Sequence, residues 1–229
     1  MSIQSALVIG AGSGVGEATA DALAVAGVRV LAAGRERDAT DPAQVAGLIA
    51  EADPDLVVVA AGTRPRMAAI DEQSWESFSA PWNVDVRIAF EVGRAALARP
   101  LRPGATVLIV SSGAGLDGSP LSGGYAGAKR TQMFVARYLQ RASDARGLGI
   151  RFVALAPRQL LAGTEIGTAA AAAYGAENGE SAEAFMARRF PVPLDPAGVA
   201  RAILAIARGE EGREATLLTV TGTGVEPVV

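Results

Sequence analysis

Tyr125 and Lys129 lie four residues apart in Tyr125-Ala126-Gly127-Ala128-Lys129, within a segment predicted to be helical. Residues at that spacing share one helix face. A phenol with an ordinary pKa of about 10 is a poor acid or base at neutrality, but a cation held beside it favours the phenolate and makes proton exchange accessible. Lys129 is the only lysine of the chain, and every other basic residue is an arginine. A compact ammonium can serve a phenol and a sugar hydroxyl together, which a planar guanidinium does less readily. The chain has no histidine and no cysteine, so proton chemistry falls to carboxylates, tyrosine, lysine or water.

A second feature follows the apolar run Ala6–Gly10. Gly10-Ala11-Gly12-Ser13-Gly14-Val15-Gly16 joins that run to an alanine-rich helical segment. In a strand–turn–helix, glycines permit a tight turn and let backbone N–H groups approach a pyrophosphate at the helix N-terminus. The spacing is G-x3-G-x-G over Gly10, Gly14 and Gly16, with Gly12, Ser13 and Val15 between them. Read alone, it also describes a plain strand-to-helix connection. The next apolar run ends at Gly34-Arg35-Glu36-Arg37-Asp38. An acid there would accept from a free ribose 2′-OH, and an arginine would pair with a 2′-phosphate. Counted from Gly27, the acid's position holds Gly34 and the next holds Arg35, which predicts NADP(H) over NAD(H). Glu36 turned inward would argue the other way.

These residues need a scaffold, and the pattern of the chain supplies one. Short Val/Ile/Leu-rich runs at 6–10, 28–34, 55–62, 106–112, 150–157 and 215–222 alternate with segments of helical periodicity. That alternation predicts an α/β fold, a Rossmann-type doubly wound parallel sheet of six or seven strands in a single domain over residues 1–229. Asp41-Pro42 and Asp195-Pro196 each place a capping carboxylate before a proline, predicting helix starts. The two longest helices are expected from Pro81 to Arg99 and from Leu121 to Arg146. Segment 158–192 reads as a surface helix pair or as a lid over a substrate.

Composition narrows the function. At 229 residues the chain suits one domain, and half of its residues are apolar. A net charge of −3 without a basic run argues against nucleic acid or an anionic membrane as partner. No apolar run approaches the ~20 residues of a membrane span. With no cysteine and no secretory pattern at the start, a cytoplasmic location is expected.

Taken together, the G-x3-G-x-G turn, the Ala60-Ala61-Gly62 triplet, Asn83, Ser112 and the Tyr125-x3-Lys129 pair resemble the short-chain dehydrogenase/reductase family. The resemblance spans residues 6 to about 157 and implies a sheet of order 3-2-1-4-5-6-7 with a Ser-Tyr-Lys-Asn constellation. It implies that Ser112 hydrogen-bonds the substrate oxygen and Tyr125 delivers the proton as hydride arrives from the nicotinamide. Lys129 would bind the nicotinamide ribose and tune Tyr125, and Asn83 would hold a water linking Lys129 to solvent. Asp38 is expected to face the adenine amine, Pro157 to adjoin the cofactor, and Thr164 to be the nearest candidate for a carboxamide contact. The sequence departs from the family at Val59-Ala60-Ala61-Gly62, which lacks the usual asparagines, and at Arg158, which replaces a glycine. Asp38 also follows the second strand so closely that a helix and a strand are expected to be compressed or absent.

The reading is thus hydride transfer between NADP(H) and a small-molecule carbonyl or secondary alcohol, mainly apolar, by a homodimer or homotetramer. Two alternatives are a dinucleotide-binding sensor or scaffold without turnover, and a halohydrin-type lyase. The first has no need of an activated phenol; the second would carry arginine at position 129 and lack the glycine turn.

Overall fold

The structure, a computed structural model, describes residues 3–228. Among the described residues, six parallel strands and one antiparallel strand form a single sheet: β1 (Ser5–Ile9), β2 (Arg29–Ala33), β3 (Leu56–Val59), β4 (Thr106–Val110), β5 (Arg151–Pro157), β6 (Leu217–Thr221) and β7 (Gly224–Pro227). Their spatial order is β2-β1-β3-β4-β5-β6-β7. Successive residues of each central strand enter opposite layers, as period-two geometry requires. Leu7, Ile9, Val57, Val59, Val107, Ile109 and Phe152 pack on one face, while Val8, Val58, Leu108, Val153 and Leu155 pack on the other. Both faces are dry, which is why these strands read as continuous apolar runs.

Helices α1 (Gly14–Val25) and α9 (Pro196–Arg208) cover the second face through Leu23, Val199, Ile203 and Ile206. The first face is covered by α2 (Pro42–Ala52), α4 (Arg87–Ala98) and α6 (Gly123–Ala145) through Val45, Leu48, Val92 and Ala136. Both predicted caps form: Asp41 accepts from the Ala43 amide and Asp195 from the Gly198 amide, each with proline at the first helical position. The remaining helices are α3 (Trp75–Pro81), the one-turn α5 (Ala114–Asp117), α7 (Glu165–Glu177) and α8 (Ala182–Arg189).

The expected order 3-2-1-4-5-6-7 is corrected. Between β2 and β3 the chain forms only α2, which ends at Asp53 in the left-handed region (φ 40°) and leads directly into β3. Among the described residues one edge strand and its helix are therefore missing, and β2 forms the edge, exposed at Arg29 and Ala32 and buried at Ala33. The seventh strand comes from the C-terminal tail, where Thr221–Gly224 turns the chain back along β6.

The expected helix from Pro81 to Arg99 is also modified. It begins earlier, at Trp75, behind a capping box formed by Ser74 and Ser77. Pro81 has no N–H to donate to the preceding turn, and the backbone relaxes into a π-helical turn, Trp82–Val86, before continuing as α4. That turn carries Asp85, which is fully buried.

Candidate active site

At the C-terminal edge of the sheet, the amides of Gly10 and Ala11 both donate to the Ala33 carbonyl and tie the turn to the end of β2. A Cβ on Gly10 would stand 2.4 Å from the Ala61 nitrogen, and one on Gly16 would stand 2.0 Å from the Gly10 oxygen. Neither position admits a side chain without displacing backbone. Gly12 differs, since a Cβ there meets nothing within 4 Å and the residue is exposed. Ser13 is the N-cap of α1, yet its side chain caps nothing. The first amides of α1 thus lack an internal acceptor, beside a glycine opening onto free space, an arrangement that fits a pyrophosphate. Gly14 (φ 57°) and Val15 complete the turn, with the Thr164 methyl 3.4 Å from a Cβ built on Gly14. The amides of Ala60 and Ala61 both donate to the Ile9 carbonyl, folding the end of β3 beside the glycine turn.

Tyr125 and Lys129 occupy the first two turns of α6. That end of the helix approaches α3 closely because it is built of glycines. A Cβ on Gly124 would lie 2.0 Å from the Phe78 carbonyl oxygen, and the Trp82 indole N–H donates to the Gly124 carbonyl. Lys129 is buried, and its Nζ lies 5.4 Å from the centre of the Tyr125 ring and 3.4 Å from the Val110 carbonyl. The tyrosine and its cation share one face, as their spacing predicts.

The two serines at the end of β4 have separate tasks. Ser111 is buried and donates to the Lys129 carbonyl at 2.7 Å, bracing α6 against the sheet. Ser112 is partly exposed; its oxygen accepts from the Ala114 amide, which leaves the hydroxyl proton available to another acceptor.

Asn83 is exposed on the π-helical turn, and the charged group beside Lys129 is Asp85, two residues later. Asp85 is fully buried, with Oδ2 3.2 Å from Lys129 Nζ and Oδ1 accepting from the Thr63 amide at 2.7 Å. Its carbonyl accepts from Gln132 Nε2 at 3.0 Å. Sequence reasoning missed Asp85, Gln132 and the bracing role of Ser111. A signal was present: Asp85 falls in register with Pro81, Ile88, Ala89 and Val92, so a lone carboxylate stands in a buried helical stripe.

Around the end of β2, Glu36 curls back and accepts from the Gly34 amide at 2.8 Å, while Arg35 is almost wholly exposed. The Glu36 carboxyl is held below its usual range by hydrogen bonding to its own backbone amide and to that of Gly34. Asp38 accepts from both the amide and the hydroxyl of Thr40, which lower its pKa in the same way. Glu165, the first residue of α7, faces both Arg35 (3.9 Å) and Arg64 (3.0 Å). Thr164 caps α7: its hydroxyl donates to the Leu161 carbonyl and accepts from the Gly167 amide, and its methyl faces the glycine turn. Pro157 closes β5, its carbonyl accepting from the Gly113 amide, and the adjacent Arg158 pairs with Asp117 at 2.9 Å. Segment 158–192 contains α7 and α8, joined to the loop before α6 by a 2.5 Å hydrogen bond between Tyr174 and Ser119.

Comparison with known proteins supplies the family. No family model matches the chain. The protein y4eK of Sinorhizobium fredii, described as an uncharacterized short-chain type dehydrogenase/reductase, is 32% identical over 170 residues, covering 66% of this chain and 68% of its own. The chain belongs to the short-chain dehydrogenase/reductase family, a family of oxidoreductases. Solved structures share the fold. Sorbitol-6-phosphate 2-dehydrogenase SrlD of Erwinia amylovora aligns with a TM-score of 0.81 at 22% identity, over 95% of this chain and 98% of that one. The 3-ketoacyl-(acyl-carrier-protein) reductase of Brucella melitensis, complexed with NADH, aligns with a TM-score of 0.76 at 21% identity, over 96% and 97%. A short-chain dehydrogenase of Mycobacterium avium aligns with a TM-score of 0.72 at 23% identity, over 99% and 84%. Among the described residues, no helix is long and apolar enough to cross a membrane.

Proposed function

We propose that this protein transfers a hydride between NADP(H) and a ketone, aldehyde or secondary alcohol, with Tyr125 as the proton-transferring residue. The observation that carries the proposal is the buried Lys129 ammonium, the sole lysine, held beside Tyr125 at the same sheet edge as the open glycine turn. The dinucleotide, when bound, supplies or accepts the hydride at its nicotinamide ring. Backbone amides from Gly12 to Val15 would hold its pyrophosphate, with Ala60 to Gly62, Asp38 and Pro157 along its course. Ser112 donates a hydrogen bond to the substrate oxygen and polarises the carbonyl. Tyr125 gives its proton to that oxygen during reduction and takes one during oxidation. Lys129 steadies the phenolic oxygen and reaches toward the nicotinamide ribose.

Segment 158–192 is assigned as the lid of a mainly apolar substrate pocket, anchored through Tyr174 and Ser119. The exposed rings of Phe90 on α4 and of Phe134 and Tyr138 on α6 support a second copy as the occupant of that face, giving a homodimer or homotetramer. We assign the working protein to the cytoplasm, without a nucleic-acid or membrane partner.

Arg35 supports NADP(H), because an exposed guanidinium at the end of β2 can pair with a 2′-phosphate. Glu36 favours NAD(H), because its carboxylate rests on the Gly34 amide, where a ribose hydroxyl would seek an acceptor. Calorimetric titration separates the two. NADPH is expected to bind more tightly than NADH, and Arg35→Ala should weaken NADPH about tenfold or more, as loss of a charge-assisted hydrogen bond implies. Glu36→Ala should weaken only NADH. Equal affinities in the unmodified protein would remove the NADP(H) preference.

A further inference from the structure

We propose that Asp85 is the positioning residue of this site, its buried carboxylate aiming the Lys129 amine and keeping it cationic beside Tyr125. The inference rests on the hydride-transfer reading above and assigns a residue which that reading does not require.

A carboxylate in an apolar helical stripe carries a desolvation cost that only a partner and hydrogen bonds can offset. Asp85 has no side-chain exposure, and its surroundings are arranged for one contact. Oδ1 is fixed by the Thr63 amide, which turns Oδ2 toward Nζ at 3.2 Å. Among the described residues Oδ2 makes no regular hydrogen bond, so the ion pair is its one polar contact. Gly62 permits that approach, since a Cβ there would come within 2.8 Å of Oδ2. Gln132 holds the Asp85 carbonyl and Ser111 holds the Lys129 carbonyl, so the backbone beneath each charge is anchored.

The ammonium has three N–H donors. One faces Asp85 and one the Val110 carbonyl, which leaves the third for the Tyr125 side of the site. Tyr125 from α6 and Asp85 from the π-helical turn are the titratable groups that face Nζ; β4 presents the neutral Val110 carbonyl and the neutral Ser111. Burial opposes the charge on Lys129, and the Asp85 carboxylate followed by the Tyr125 phenol outweighs it, leaving the amine's pKa above the ordinary lysine value. Take away the carboxylate and burial prevails.

Because Lys129 is the only lysine, protein labelled with 15N at the lysine ζ position gives a single side-chain signal. In the unmodified protein that nitrogen should release its proton only above the ordinary lysine range. Asp85→Asn keeps the shape of the side chain and should move the release downward by more than one pH unit. The alkaline limb of its kcat profile should move down by the same interval as the nitrogen signal, so turnover is lost first in alkaline solution, where the unmodified amine still holds its charge. An unchanged nitrogen titration in Asp85→Asn would overturn the proposal. Should that variant fail to fold, release below the ordinary lysine range in the unmodified protein would overturn it alone, and release above that range would sustain it. If no substrate is turned over by either protein, hydride transfer fails while the nitrogen titration still decides the role of Asp85.

Discussion

Tyr125→Phe is expected to lower kcat about a hundredfold to ten-thousandfold, the range a positioned general acid or base contributes, while leaving cofactor affinity almost unchanged. The substitution removes one oxygen at the start of α6 and keeps the ring whose face Lys129 approaches. Helix packing there depends on Gly124 against Phe78 and on the Trp82 indole, neither of which involves the phenol oxygen. Folding should therefore be preserved. Following nicotinamide absorbance across a ketone panel, with calorimetry for cofactor affinity, checks both halves. Full residual turnover would reject Tyr125 as the proton carrier.

Lys129→Met is expected to lose activity and much of the protein's stability, for separable reasons. Activity is lost with the ammonium beside Tyr125. Stability is lost because Asp85 then stands buried and unpaired, a situation that typically costs about 3–5 kcal/mol. In a chain of this length that corresponds to a fall in Tm of about 10 °C. Adding Asp85→Asn should recover most of the Tm and none of the turnover, because a neutral amide no longer needs a counter-ion. Thermal unfolding of the two variants gives the answer, and equal Tm values would mean that the pair adds nothing to the fold.

The pH dependence has a definite sign. The folded protein holds the Lys129 proton more tightly than the unfolded chain, burial opposing and Asp85 with Tyr125 favouring the charge. The stabilisation from that linkage is fully present below the ordinary lysine value and disappears as pH rises through the raised one. It is thus constant across neutrality and fades only in strongly alkaline solution.

Much of this architecture was legible because local rules and global packing agree. The buried strands announce themselves as uninterrupted apolar runs, and the two Asp-Pro pairs mark helix starts that the structure keeps. The Tyr125–Lys129 pairing follows from helix period alone. The lost edge strand could be suspected from the closeness of Asp38 to β2, but its absence rests on how α2 terminates at Asp53. The tail's return as β7 is a hairpin on β6 through Gly222-Thr223, and β7 itself is too short and too exposed to stand out as an apolar run.

Asn83 and Asp85 show what pattern alone leaves open. The family resemblance points to Asn83, while Pro81 forces a π-helical turn that sets the helical phase locally. Within that turn Asn83 faces solvent and Asp85 faces the lysine. Glu36 is a second case, since sequence leaves its direction open and only the Gly34 amide decides it.

The most direct test follows the hydride itself. The unmodified protein is incubated with NADPH deuterated at the transferring carbon of the nicotinamide and with a panel of ketones and aldehydes, and the products are weighed by mass spectrometry. Deuterium bound to the carbinol carbon of an alcohol product is the predicted result. A protein that binds the reduced dinucleotide yet places no deuterium in any product, or that fails to bind it at all, would contradict the account.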